Sequence, residues 1–174
     1  MRKRDVIKQG HEKAVADQLF GALKAEATFE RMGDPNKGEP DVIYKVGDKT
    51  VGIEVATAYY ENSDAQDEWE IATGEDPLAP GEIRERSAGT LGNPDQIICE
   101  RIQAELEDKA GKAYAGIGET WLCIEQDAAL SDAESTEECV KTLRVPAAHK
   151  FARIYLTYDA PLHDGGGYKV VQIC

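Results

Sequence analysis

The sequence predicts an α/β (α+β) domain built on one mixed β-sheet with helices packed against it. Three observations lead there. Apolar stripes of helical period alternate with short strand-like runs in the order α, β, β, β, α, β, α, β, β, the pattern of a sheet covered by helices. The 174 residues are enough for one domain with a real core and too few for two. Hydrophobic residues at 41% supply that core, and charged residues at 30% keep its surface in water. Residues 1–174 are therefore read as a single domain.

Residues 10–24, GHEKAVADQLFGALK, read as the first helix: Val15, Leu19 and Leu23 recur at helical spacing, with Ala16 and Ala22 beside them. EATFERMG (26–33) is a short strand, and DPNKGEP (34–40) is dense in turn residues. Two strands follow at 41–46 and 50–56. Residues 61–92 are polar, acidic and Gly/Pro-containing, with a short helix near 64–72 and loop elsewhere. Residues 93–114 make the longest helix, with Asn93 as cap, Pro94 at its first position and a stripe of Ile98, Ile102, Leu106 and Ala113. TWLCIE (120–125) is a buried strand. SDAESTEECVKTLRV (131–145) is a short acidic helix that Ser131 can cap. FARIYLTYD (151–159) and GYKVVQIC (167–174) alternate like two strands around a Gly-rich turn.

Several function classes drop out. No run approaches the ~20 apolar residues of a membrane span. The basic N-terminus lacks the apolar segment of a secretory signal. The four cysteines, Cys99, Cys123, Cys139 and Cys174, are dispersed and form no C-x-x-C pair, as expected of free thiols in a reducing cytoplasm. The three histidines show no metal spacing, and no P-loop, G-x-S-x-G or G-x-G-x-x-G is present. A net charge of −13 argues against simple electrostatic binding to nucleic acid. Divalent metal can invert that sign locally.

The stretch GEPDVIYKVGDKTVGIEVATAYY (38–60) carries the chemistry. With Gly47-Asp48 as a two-residue turn, opposed residues sum to 95. Val42, Tyr44, Val46, Val51, Ile53 and Val55 then share an apolar face, and Asp41 stands opposite Glu54 on the other face. Opposed side chains have Cβ atoms ~4.5–5.5 Å apart, where like charges repel. A hard divalent cation between them, preferring oxygen ligands, resolves the repulsion. An exposed edge hairpin with two solvated acids is the plainer alternative. Glu12 adds a third carboxylate, in phase with Ala16, Leu19 and Leu23 on the apolar side of the first helix. A first-turn position, favoured by the helix dipole and open to solvent, would also explain it.

EPD (39–41), a turn, then GIEVA (52–56), preceded by a helix carrying Glu12, resembles the PD-(D/E)XK nuclease superfamily, the restriction-endonuclease-like fold. The resemblance implies an αβββαβ core over about residues 10–125, with 126–174 as a C-terminal α-β-β extension. It implies that Asp41 and Glu54 bind Mg²⁺ (or Mn²⁺), with Glu12 as the helix glutamate. The family lysine belongs two residues after Glu54, where this chain has Ala56. Some members carry that lysine on the following helix. Here Lys109 is in phase with Ile98, Ile102 and Leu106, although its ammonium could equally run out to water. Gln96 is a second substitute. Lys45, ~13 Å along the strand from Asp41, is too far to help.

The expected function is Mg²⁺-dependent hydrolysis of DNA phosphodiester bonds, with Asp41, Glu54 and Lys109 as catalytic residues and Glu12, Asp41 and Glu54 as metal ligands. The alternative is an inactive nuclease-fold protein that binds a protein partner, its acidic segment at 61–85 imitating a nucleic-acid backbone. A homodimer is compatible with either reading.

Overall fold

A computed structural model describes residues 2–60, 93–127, 132–160 and 166–174. The predicted helix near 64–72, the acidic segment and Ser131 lie outside these residues. Those described form an α+β structure: one six-stranded mixed sheet and three helices. In chain order these are α1 (Lys3–Leu23), β1 (Ala27–Met32), β2 (Val42–Val46), β3 (Lys49–Tyr59), α2 (Pro94–Ala110), β4 (Glu119–Asp127), α3 (Ala133–Thr142), β5 (Arg153–Ala160) and β6 (Gly167–Gln172). The strands lie side by side in the order β1-β2-β3-β4-β5-β6. The β3, β4 and β5 strands are parallel, and the remaining pairs are antiparallel.

The β2–β3 hairpin has the expected register, from Val46 opposite Lys49 to Val42 opposite Ile53. Gly47 takes the left-handed backbone that such a turn needs, with φ of 57°. The register sends the two faces of the sheet to different helices. Val42, Tyr44, Val51, Ile53 and Val55 pack under Val15, Ala16, Leu19 and Phe20 of α1. On the other face, Ala56, Ala58, Leu122 and Ile124 pack under Ile98, Ile102 and Leu106 of α2. Each large side chain buried this fully contributes about 1.5–3 kcal/mol.

Four expectations change. The first helix begins at Lys3, not residue 10. Its added turns have no apolar stripe; they are held by the Asp5 carboxylate on the Arg2 amide and by the Lys8–Glu12 ion pair. The second helix ends at Ala110, so Ala110 closes the buried stripe and Ala113 lies exposed beyond it. The third helix is capped by Asp132, which accepts from the Ser135 amide at 2.7 Å. Finally, Cys99 and Cys139 are not free thiols. They form a disulfide between α2 and α3, with Cα atoms 5.6 Å apart, because the two helices pack side by side on one face of the sheet. Only Cys123 and Cys174 are free, so the thiol argument for a reducing compartment no longer stands. No described helix is long and apolar enough to cross a membrane.

One close approach fixes the start of β2. Gly33 donates its amide to the Asp41 carbonyl at 2.8 Å, and a Cβ at Gly33 would overlap the Pro40 carbonyl. Gly33→Ala must therefore push Pro40 and Asp41 away from β1. The expected loss is about 1–3 kcal/mol, the usual cost of overpacking, read as a lower urea midpoint at unchanged slope.

Candidate functional site

The β2–β3 ladder stops at Val42–Ile53, while β3 runs on to Tyr59. Beyond Ile53 the amide edge of β3 on this side has lost its strand partner. Asp41, the residue just before β2, fills that gap: its Oδ2 accepts the Val55 amide at 2.9 Å. The side chain thus sits at the open edge of the sheet, where groups from both faces can reach it.

Glu54 points to the α2 face and is 7% exposed. Lys109 of α2 meets it, with Nζ 2.7 Å from Glu54 Oε1. The Lys109 side chain is 15% exposed, so its ammonium does not run out to water. Glu12 comes from the α1 face. With α1 starting at Lys3, Glu12 lies in the third turn rather than the first, and it is 6% exposed. It pairs with Lys8 Nζ at 2.9 Å. Glu12, Lys8 and Asp41 line one cavity of about 370 Å³, bounded also by Gly33, Glu39 and Pro40.

Charge ties these groups together. Burial raises the pKa of Asp41, and the Glu12 charge adds to it, against the Val55 amide, Lys8 and Lys109. Burial likewise raises Glu54, and the charge on Asp41 adds to it, against Lys109. For Lys109 burial works to lower the pKa, but Glu54, Asp41 and Glu105 outweigh it and the net shift is upward. Lys8 behaves the same way: burial is outweighed by Glu12, with Asp41 and Glu54 assisting. Lys8 thus pairs with Glu12 and Lys109 with Glu54, and Asp41 feels the charge of Glu12 and of both ammonium groups.

The structure brings Glu12, Asp41, Glu54 and Lys109 into one neighbourhood. It leaves Gln96 out: its amide donates to Glu100 at 2.9 Å on the exposed side of α2. Two participants had no mark in the sequence. Lys8 lies in the turns of α1 that lack an apolar stripe. Tyr114 lies in the irregular stretch after α2; its hydroxyl sits beside Glu54, and burial first and then that carboxylate raise its pKa. A separate pair stands on the α1 face, where His11 Nε2 is 2.9 Å from Glu125 Oε2 and 3.4 Å from the Thr57 hydroxyl. Among the described residues, no three His, Cys, Asp or Glu side chains stand together as a ready metal cage. No family model, curated protein or solved structure matches the chain.

Proposed function

We propose that the protein is a Mg²⁺-dependent nuclease-like enzyme acting on DNA phosphodiester bonds at the Asp41–Glu54–Lys109 cluster. The observation that carries this reading is a buried carboxylate, Glu54, and a half-buried one, Asp41, beside the end of the β2–β3 ladder, with a half-buried lysine from the crossover helix paired to Glu54. A fold needs neither member of such a pair, since apolar residues there would avoid the desolvation penalty. The order α1-β1-β2-β3-α2-β4 also agrees with the αβββαβ core of the PD-(D/E)XK superfamily that the EPD and GIEVA motifs resemble. Lys109 would then supply the cation that Ala56 cannot.

The donor set fits magnesium. All candidate ligands are carboxylate oxygens, the hard donors this ion prefers. Magnesium is commonly held by one or two carboxylates plus substrate phosphate, with no all-protein cage. Asp41 and Glu54 would hold it, with Glu12 adding charge from the α1 side. Bound there, the ion supplies Lewis acidity toward the phosphodiester. The chain's own work is electrostatic. Lys109, kept charged by the surrounding carboxylates, can turn a donor to a phosphoryl oxygen. Glu12 keeps Lys8 at the mouth of the cavity, where a second ammonium can meet a phosphate.

The inactive binding-module reading retains one observation in its favour: Lys109 already neutralises Glu54, and the Val55 amide already serves Asp41. Supercoiled plasmid separates the two. With Mg²⁺ or Mn²⁺ the wild type should nick it, and Glu54→Gln should be slower by about 10²-fold or more, since loss of a direct ligand exceeds the ~10–100-fold that groups orienting a metal site are worth. A wild type that binds Mn²⁺ yet leaves every DNA uncut would move the assignment to the binding module.

A further inference from the structure

On the α1 face of the sheet, one row of residues changes character. Val55, Cys123 and Tyr155 stand in register across β3, β4 and β5 and belong to the apolar core under α1. Two residues further along each strand, on the same face, the row reads Thr57, Glu125 and Thr157. This is toward the C-terminal ends of the three parallel strands, where open α/β sheets place their ligand sites. The helix changes in step: Val15 is buried in that core, and His11, one turn earlier, meets the polar row. His11 Nε2, Glu125 Oε2 and the Thr57 hydroxyl form a triangle with sides of 2.9, 3.3 and 3.4 Å. An imidazole nitrogen and a carboxylate oxygen approach this closely only with a proton or a metal ion between them. A tetrahedral ion with N and O ligands at about 2.0–2.2 Å holds its donors ~3.3–3.6 Å apart. Two sides of the triangle already have that length, and the third need open by only a few tenths of an ångström.

We propose that His11, Glu125 and Thr57 form a binding site for a zinc-class dication, separate from the carboxylate cluster of the nuclease reading. An imidazole suits Zn²⁺ and its transition-metal neighbours, whereas Mg²⁺ takes oxygen donors alone, so the two sites select different ions. The side chains of His11 and Glu125 are 35% and 18% exposed, which leaves room for water as the fourth ligand. Three protein donors and a water are the pattern of an open zinc site, in which the bound water becomes acidic. The ion also joins α1 to β3 and β4, so its binding stabilises the fold.

The test uses Co²⁺ as the probe, because it occupies zinc sites and absorbs strongly in the visible only when four-coordinate. It is titrated into wild type, His11→Gln, Glu125→Gln, Asp41→Asn and Cys174→Ser, and the bands give the Kd. Wild type should develop visible bands that Zn²⁺ abolishes, and Zn²⁺ should raise its melting temperature. His11→Gln and Glu125→Gln should each weaken Co²⁺ binding by about 100-fold or more, since a direct ligand is worth more than the ~10–100-fold of an orienting group. Asp41→Asn should keep the bands, which separates this site from the carboxylate cluster. Cys174→Ser should keep them too, which excludes the thiol 3.9 Å from His149. Glutamine at 125 keeps an oxygen for the Thr57 hydroxyl; should that variant not fold, His11→Gln, at a more exposed position, carries the same test. A wild type without visible bands would overturn the site. So would bands that survive His11→Gln or Glu125→Gln unchanged, or that vanish in Asp41→Asn or Cys174→Ser.

Discussion

Lys109→Met should abolish most turnover and destabilise the protein, and the stability loss should depend on pH. The ammonium is buried against Glu54 at 2.7 Å, and both side chains are mostly shielded from water. Methionine keeps the stem volume and removes only the charge. It leaves Glu54 buried, beside Asp41, with its principal cation gone. Breaking a buried pair on one side costs about 3–5 kcal/mol. The sign of the pH effect follows from Glu54, whose pKa burial and Asp41 already raise and which Lys109 holds down. Without Lys109 it rises further. A carboxyl with a raised folded pKa binds its proton more tightly in the fold than in the unfolded chain. Stability is then greatest at low pH and falls as pH climbs from the ordinary carboxylate range through the raised value. The Lys109→Met deficit should accordingly be large at pH 8 and small near pH 5, measured by urea unfolding at each pH. Cleavage should fall by about 10²–10⁴-fold, the range for a charge-stabilising or acid–base group. Mn²⁺ affinity should survive, because Glu54 loses a competitor and no ligand is removed.

How much of this was written in the sequence depends on the kind of signal. The hairpin register was readable because a side-chain period of two leaves a single alignment that gathers Val42, Tyr44, Val51, Ile53 and Val55 on one face. That alignment placed Asp41 and Glu54 together without any knowledge of the fold. The inward phase of Lys109 was readable from Ile98, Ile102 and Leu106, which are all buried. Other parts were not. The first turns of α1 are held by the Asp5 carboxylate on the Arg2 amide and by the Lys8–Glu12 pair, which leave no hydrophobic period to detect. Lys8 was lost with them. Tyr114 lies where no period exists, and its place depends on Gly38 and Phe151, both distant in sequence. The Cys99–Cys139 disulfide joins residues 40 apart and required knowing that α2 and α3 share a face. Asp41 is a mixed case. Its identity was readable, but its bond to the Val55 amide follows from β2 beginning one residue after it, and strand ends are poorly marked in sequence.

The central claim is that Asp41 is there to bind a cation, at some cost to the fold. Asn at this position has nearly the same shape, and its side-chain oxygen can still accept the Val55 amide. The substitution removes one negative charge from a group in which burial and then Glu12 already push the Asp41 carboxyl up and Asp41 in turn pushes Glu54. Without metal, that relief should leave the melting temperature of Asp41→Asn at or above the wild-type value at pH 8. With metal the order should reverse. Orienting groups around a metal site are worth about 10–100-fold in affinity, and loss of a direct ligand exceeds that. The decisive measurement is Mn²⁺ titration calorimetry on the two proteins at pH 8. The account predicts saturable binding to wild type and at least about 100-fold weaker binding to Asp41→Asn, alongside an unimpaired melting temperature. Equal Mn²⁺ affinity for the two proteins, or a marked loss of stability in Asp41→Asn, would contradict it and make Asp41 a structural cap on the edge of β3.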